Sequence, residues 1–198
     1  MGIRQWVGLG VLAGTVAIAS PAAALPGETV AAVESWIQSN GTLGSAVSRG
    51  LTVFRRATPA RRFTFQASIF PVRGPLDLSS QGMIRTEELT LFDQVNGVDR
   101  DRLEESLRAI YGPAVYTDYQ QAQLLYAYPS AETPPPANSE IVLLGEVLEG
   151  DRYAYWLELA ANPQGVVYSG RAIVFLKEDL PLLRRYLTGF NGFPEIGS

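Results

Sequence analysis

The side chains able to do chemistry in this chain are few in kind, because it contains no histidine and no cysteine. A Ser-His-Asp triad, a Cys-His pair, imidazole and thiolate metal sites and a disulfide framework are therefore all closed to it. Lys177 is the only lysine, so no phosphate-loop lysine exists. Gly8-Leu9-Gly10 with Gly14 faintly echoes a phosphate-binding run, but it follows no strand pattern and its third glycine is misplaced. Carboxylates remain. Glu87-Glu88, Glu104-Glu105, Glu146, Glu149, Asp151 and Glu158 are the candidates for acid–base work, and Trp156 shares a strand face with Glu158. Two such carboxyl groups beside an aromatic platform are the equipment of a glycosidase. Helix capping accounts equally well for Glu104, and Glu87 and Glu88 point to opposite faces of any strand. Asp93, Asn96, Asp99 and Asp101 surround Gly97 with oxygen ligands of the kind calcium takes, but the spacing is not that of a twelve-residue calcium loop. Turn and cap chemistry explains all four. No motif implies a cofactor or a metal ion.

Charge-based recognition is the better-signalled chemistry. Arg55, Arg56, Arg61 and Arg62, with Arg49 nearby, stand out in an acidic chain. Guanidinium forks match carboxylate and phosphate geometry. Read as a loop, Arg55–Arg62 is either a solvated connection or a docking point for an acidic protein surface, an acidic glycan or a lipid headgroup. Tyrosines cluster at Tyr111, Tyr116, Tyr119, Tyr126 and Tyr128 and again at Tyr153, Tyr155 and Tyr168. Tyr153 and Tyr155 share a strand face. If that face meets solvent, they add large amphipathic contact area beside the arginines.

The elements that position these residues follow from pattern. Arg4, an apolar stretch from Trp6 to Ala19 and small residues at Ala22 and Ala24 make up the three parts of a secretory signal peptide spanning 1–24. Pro21 and interspersed glycines make it a poor permanent span. Cleavage after Ala24 removes one positive charge and takes the balance from −4 to −5, against general nucleic-acid binding. Residues 25–198 suit one domain with an ample core.

A helix is expected from Pro26 to Asn40, with Val30, Val33 and Ile37 on one face, then a weakly signalled second helix between Thr42 and Val53. Strands are expected at Phe63–Phe70 and Met83–Val95. A helix capped by Asp101 and stopped by Gly112-Pro113 comes next. Tyr116–Tyr128 is ambiguous, with strand character at its end. The proline-rich loop 131–138 follows. Strands at Glu140–Glu149, Arg152–Ala161 and Val166–Leu176, joined at Gly150-Asp151 and Asn162–Gly165, form a meander. A last helix opens near Asp179 and Pro181. This order predicts an α+β fold: an antiparallel sheet of five or six strands, including the C-terminal three-stranded meander, with helices on at least one face. No internal sequence repeat is visible.

These observations predict an exported, non-catalytic binding or scaffolding domain, acting in the periplasm, another extracytoplasmic compartment or outside the cell. A carboxylate-dependent glycan hydrolase and a carrier of a small apolar ligand are the alternatives.

Overall fold

The computed structural model describes residues 25–44, 46–74, 82–129, 134 and 139–191. The expected signal segment, the proline-rich loop apart from Pro134 and the tail beyond Asn191 lie outside the described residues. Among the described residues, no helix is long and apolar enough to cross a membrane.

Helix α1 (Val30–Ser39) starts where the Thr29 hydroxyl accepts from the Ala32 amide at 3.3 Å and buries Val33, Trp36 and Ile37. The Asn40 carbonyl oxygen of the side chain then accepts from the Thr42 and Leu43 amides, which ends the helix in a turn. No second helix follows. The chain enters strand β1 (Val47–Arg49), then β2 (Thr52–Thr58) and β3 (Arg61–Ser68), and β4 (Thr86–Asp93) completes an antiparallel meander. Thr52, Val53, Phe54 and Thr58 are strand formers, and pairing with β1 and β3 decides the segment, since Leu51/Phe54 and Val53/Ala57 also fit helical spacing.

Helix α2 (Arg100–Gln120) is capped by Asp99, whose carboxylate accepts from the Arg102 amide at 2.9 Å; the cap lies two residues before the expected Asp101. Gly112 interrupts it at φ 75°, and Pro113 starts a second helical arm, since a first-turn proline has no amide to lose. The expected stop is thus a kink. The ambiguous stretch resolves into that second arm and strand β5 (Gln123–Tyr128). Strands β6 (Val142–Glu149), β7 (Tyr153–Ala161) and β8 (Val167–Leu176) follow as the expected meander. Asn162 closes the β7–β8 turn by accepting from the Gln164 and Val166 amides, with Gly165 at φ +81°. A 3-10 turn at Lys177–Asp179 leads into α3 (Leu180–Asn191).

The fold is α+β with one antiparallel sheet, and the sheet has eight strands, not five or six, in the order β1-β2-β3-β4-β8-β7-β6-β5. The strands beyond six are β1 and β2, in segments read as a helix and a loop, and β5 is the sixth, at the end of the ambiguous stretch. Two four-stranded meanders meet where β4 pairs antiparallel with β8, and each meander is preceded by a helix. The order helix-then-four-strands therefore occurs twice, with no sequence repeat to announce it.

Helices α1 and α2 share one face of the sheet. Their buried residues join Val53, Phe65, Leu89, Tyr155, Leu157 and Val174 in a single apolar cluster. Trp36 contacts Phe65 and Tyr111 at ring separations of 5.9 and 6.2 Å, which ties α1, β3 and α2 together. Helix α3 packs on the other face, where Leu183 and Leu187 cover Val147, Ala154, Trp156, Ile173 and Phe175 of β6, β7 and β8. Arg85 holds α3's entry. Its Nε donates to Asp179 at 3.1 Å and its Nη2 reaches Asp179 and Glu178 at 2.5 and 2.7 Å, with Arg85 and Asp179 buried.

Candidate binding surface

The four arginines do not sit on a loop. Arg55 and Arg56 are in β2 and Arg61 and Arg62 in β3, joined by a tight turn at Pro59-Ala60, so strand alternation splits them. Arg55 and Arg61 lie on the face of α1 and α2. Arg55 donates to the Thr42 carbonyl and stands 5.9 Å from the Phe63 ring, while Arg61 pairs with Asp93 at 3.5 Å. Asp93 also accepts from the Val95 and Asn96 amides and from Arg102 at 3.1 Å, with Asn96 the strongest influence holding its carboxyl below the usual range. Asp93 and Asp99 of the acidic cluster thus serve a turn and a helix cap.

Arg56 and Arg62 point the other way, directly opposite each other in register. Arg62 lies 4.1 Å over the Phe92 ring of β4, and Phe54, two residues before Arg56, is 49% exposed. Helix α3 packs on β6–β8 and, among the described residues, no helix covers this face of β2 and β3. Two guanidinium groups and two phenyl rings therefore form one open patch. Like charges directly across a ladder destabilise a strand pair, and no ion pair to either guanidinium occurs among the described residues.

Tyr153 and Tyr155 are elsewhere. Both are buried beneath α2, so they belong to the core and offer no solvent-facing aromatic surface. Tyr155 donates to Asp118 at 2.6 Å, and Asp118 also accepts from the Arg152 amide at 3.0 Å, which pins the second arm of α2 to the β6–β7 turn. The strand period was right for both residues, but which face the helices cover is a tertiary fact.

Five of the eight candidate carboxylates fall into three sets, while Glu105 pairs with Arg108 at 2.6 Å, Glu149 pairs with Lys177 at 3.0 Å and Asp151 is exposed. Glu87 is completely buried on the α1–α2 face, while Glu88 lies on the opposite face. Burial pushes the Glu87 carboxyl up to about 8, against a smaller lowering by the Tyr111 hydroxyl, and neither group completes a well-directed hydrogen bond among the described residues. Glu158, next to Trp156 on the α3 face, accepts from Tyr128 and pairs with Arg171 at 2.8 Å; Arg171 stacks 4.3 Å over Trp156. Glu104 and Glu146 meet on Arg100: Nε reaches Glu104 at 2.6 Å and Nη1 reaches Glu146 at 2.8 Å. In the last two sets an arginine occupies carboxylate oxygens. The Glu104–Glu146 meeting was not foreseen, because residues 42 positions apart share a site only through the register of β6 under α2. The Arg100–Glu104 half had a readable i,i+4 signal.

Comparisons with protein-family models, curated proteins and solved structures gave no match. The open patch of Arg56, Arg62, Phe54 and Phe92 is the candidate surface. Its setting is an uneven charge distribution: residues 35–76 hold six arginines and no acidic residue, whereas 109–151 hold six acidic residues and no basic one. The first stretch supplies β1, β2 and β3 at one end of the sheet, and the second supplies β5 and β6 at the other.

Proposed function

We propose that this protein is a non-catalytic binding domain, exported to an extracytoplasmic compartment, that grips anionic groups on a partner with the Arg56–Arg62 patch. The observation that carries the reading is the opposed, unpaired arginine couple flanked by Phe54 and Phe92 on a sheet face left open among the described residues. An anion between the two guanidinium groups removes their repulsion and takes charge-assisted hydrogen bonds from both. The phenyl rings supply apolar contact beside it and hold Arg62 in place. Export rests on the leader-like residues 1–24.

The test uses three defined probes: a glutamate-rich peptide, a sulfated glycan and vesicles containing an anionic phospholipid. At least one should bind, with affinity falling steeply as salt rises. The double substitution Arg56→Ser, Arg62→Ser should weaken it at least tenfold without lowering thermal stability. Arg55→Ser, on the other side of the same strand, should leave affinity nearly unchanged. No binding by any probe, or equal binding by the double variant, rejects the patch.

A further inference from the structure

A second feature lies on the α1–α2 face, away from the arginine patch. Where the first turn of α2 passes over β6 and β7, a cleft of about 200 Å3 opens to solvent on one side. Leu103, Leu144, Leu157 and Leu159 form its apolar walls, with Arg100 and Glu146 at its polar end. Gly170 sets how closely α2 approaches the sheet beneath it: a Cβ there would come within 2.8 Å of Leu159 and 2.9 Å of Val98. An apolar cavity of about 150 Å3 accepts a benzene ring, so this cleft has room for one ring and a short arm.

The polar end decides what the arm carries. Each nitrogen of the Arg100 guanidinium already donates: Nε to Glu104, Nη1 to Glu146 and Nη2 to the Tyr119 hydroxyl at 3.2 Å. Tyr119 in turn donates to Glu104 at 2.9 Å. The Arg100 bonds use three of its five N–H groups, and with two carboxyl groups set against one guanidinium an incoming anion meets more negative than positive charge. The acceptors are less satisfied. Two carboxyl groups share one guanidinium, and Glu146 Oε1, buried and 2.8 Å from Arg100 Nη2, has no well-directed donor among the described residues. A partly desolvated carboxylate with spare acceptor capacity favours a cationic donor.

We infer that the cleft is a binding site for a compact organic amine, its apolar body among the four leucines and its ammonium group on Glu146. This site is independent of the arginine patch and takes the opposite charge.

The probe is phenethylamine, with 3-phenylpropanoate as the matched anion and ethylbenzene as the neutral body, each titrated into the purified full chain and followed by backbone amide NMR shifts. The amine should bind at least tenfold more tightly than the acid and shift resonances of β6, β7 and the first turn of α2. Glu146→Gln should weaken the amine at least tenfold and leave ethylbenzene unchanged. Leu144→Trp, filling the cleft from a residue at its partly exposed mouth, should abolish binding of both while the spectrum stays folded. Arg56→Ser, Arg62→Ser should have no effect on amine binding, which separates failure here from failure of the patch. Equal affinity for amine and acid, absence of amine binding, or amine binding that survives Leu144→Trp overturns the inference.

Discussion

Glu87 is the residue whose surroundings depart most from what water would give it. A carboxyl group with no exposure and no well-directed partner is kept as the neutral acid, because ionising it inside the apolar layer is unfavourable. The other polar groups around it are Tyr111 from α2, Tyr153 and Tyr155 from β7 and Asp118 bonded to Tyr155; burial raises Tyr111 well above its usual range too. In the unfolded chain Glu87 ionises near 4.5, and in the folded one near 8. Between those values the folded state holds the extra proton, so stability is full below about 4.5 and falls as pH rises through about 8. Glu87→Gln should flatten this slope: thermal melts at pH 5 should differ little between the variant and the parent, while at pH 9 the variant should melt several degrees higher. An unchanged difference across that range means Glu87 is not the titrating group. At this scale the sequence was legible wherever alternation alone decides, as in the opposite pointing of Glu87 and Glu88. It was not legible for the arginines, because the strand pattern of 52–58 was masked by its charges, nor for Tyr153 and Tyr155, whose environment is set by a helix from elsewhere in the chain.

Among the elements, α3 hangs on the most concentrated polar contact. Arg85, immediately before β4, reaches across 94 residues to Asp179, and both side chains are buried. Removing one partner of such a pair strands the other, at a cost of about 3–5 kcal/mol. Arg85→Ala, which takes from buried Asp179 its ion-pair partner, should destabilise by that amount in urea unfolding, and hydrogen exchange should rise first in 180–187. Loss below about 1 kcal/mol would show that apolar packing alone seats the helix. The meander β6–β8 was readable because its turn residues and alternation agree. Strands β1 and β2 were missed, and the cap of α2 was placed two residues late, because Asp99 and Asp101 offer the same side-chain oxygen and only the geometry of the turn after Asp93 chooses between them. The Gly112-Pro113 pair was a correct sign of interruption, but the same residues that stop a helix can restart one.

Across the whole molecule, the β4–β8 ladder joins the two meanders, and the cluster around Phe65, Leu89, Tyr111 and Val174 runs through both halves without a break. Unfolding should therefore be a single event. In a chain begun at Leu25, Trp36 and Trp156 are the two tryptophans, one in each half. The Trp36→Phe and Trp156→Phe variants, each followed in urea by its remaining indole and by far-ultraviolet dichroism, should each give coincident transitions. Two separated steps within either variant would mean that the halves unfold independently. The duplicated helix-then-four-strand order was invisible beforehand because β1 and β2, which complete the first half, lie in segments that read as a helix and a loop. The separation of charge along the sheet has a consequence of its own. With the arginines of β1, β2 and β3 towards one edge and Glu146 and Glu149 of β6 towards the other, positive and negative charge are displaced from one another along the sheet. Near an acidic surface the field of that displacement exerts a torque, turning β2 and β3 inward before any atom touches. Its reach is the Debye length, about 10 Å at 0.1 M salt, so the alignment belongs to the last moments of approach and fades in brine.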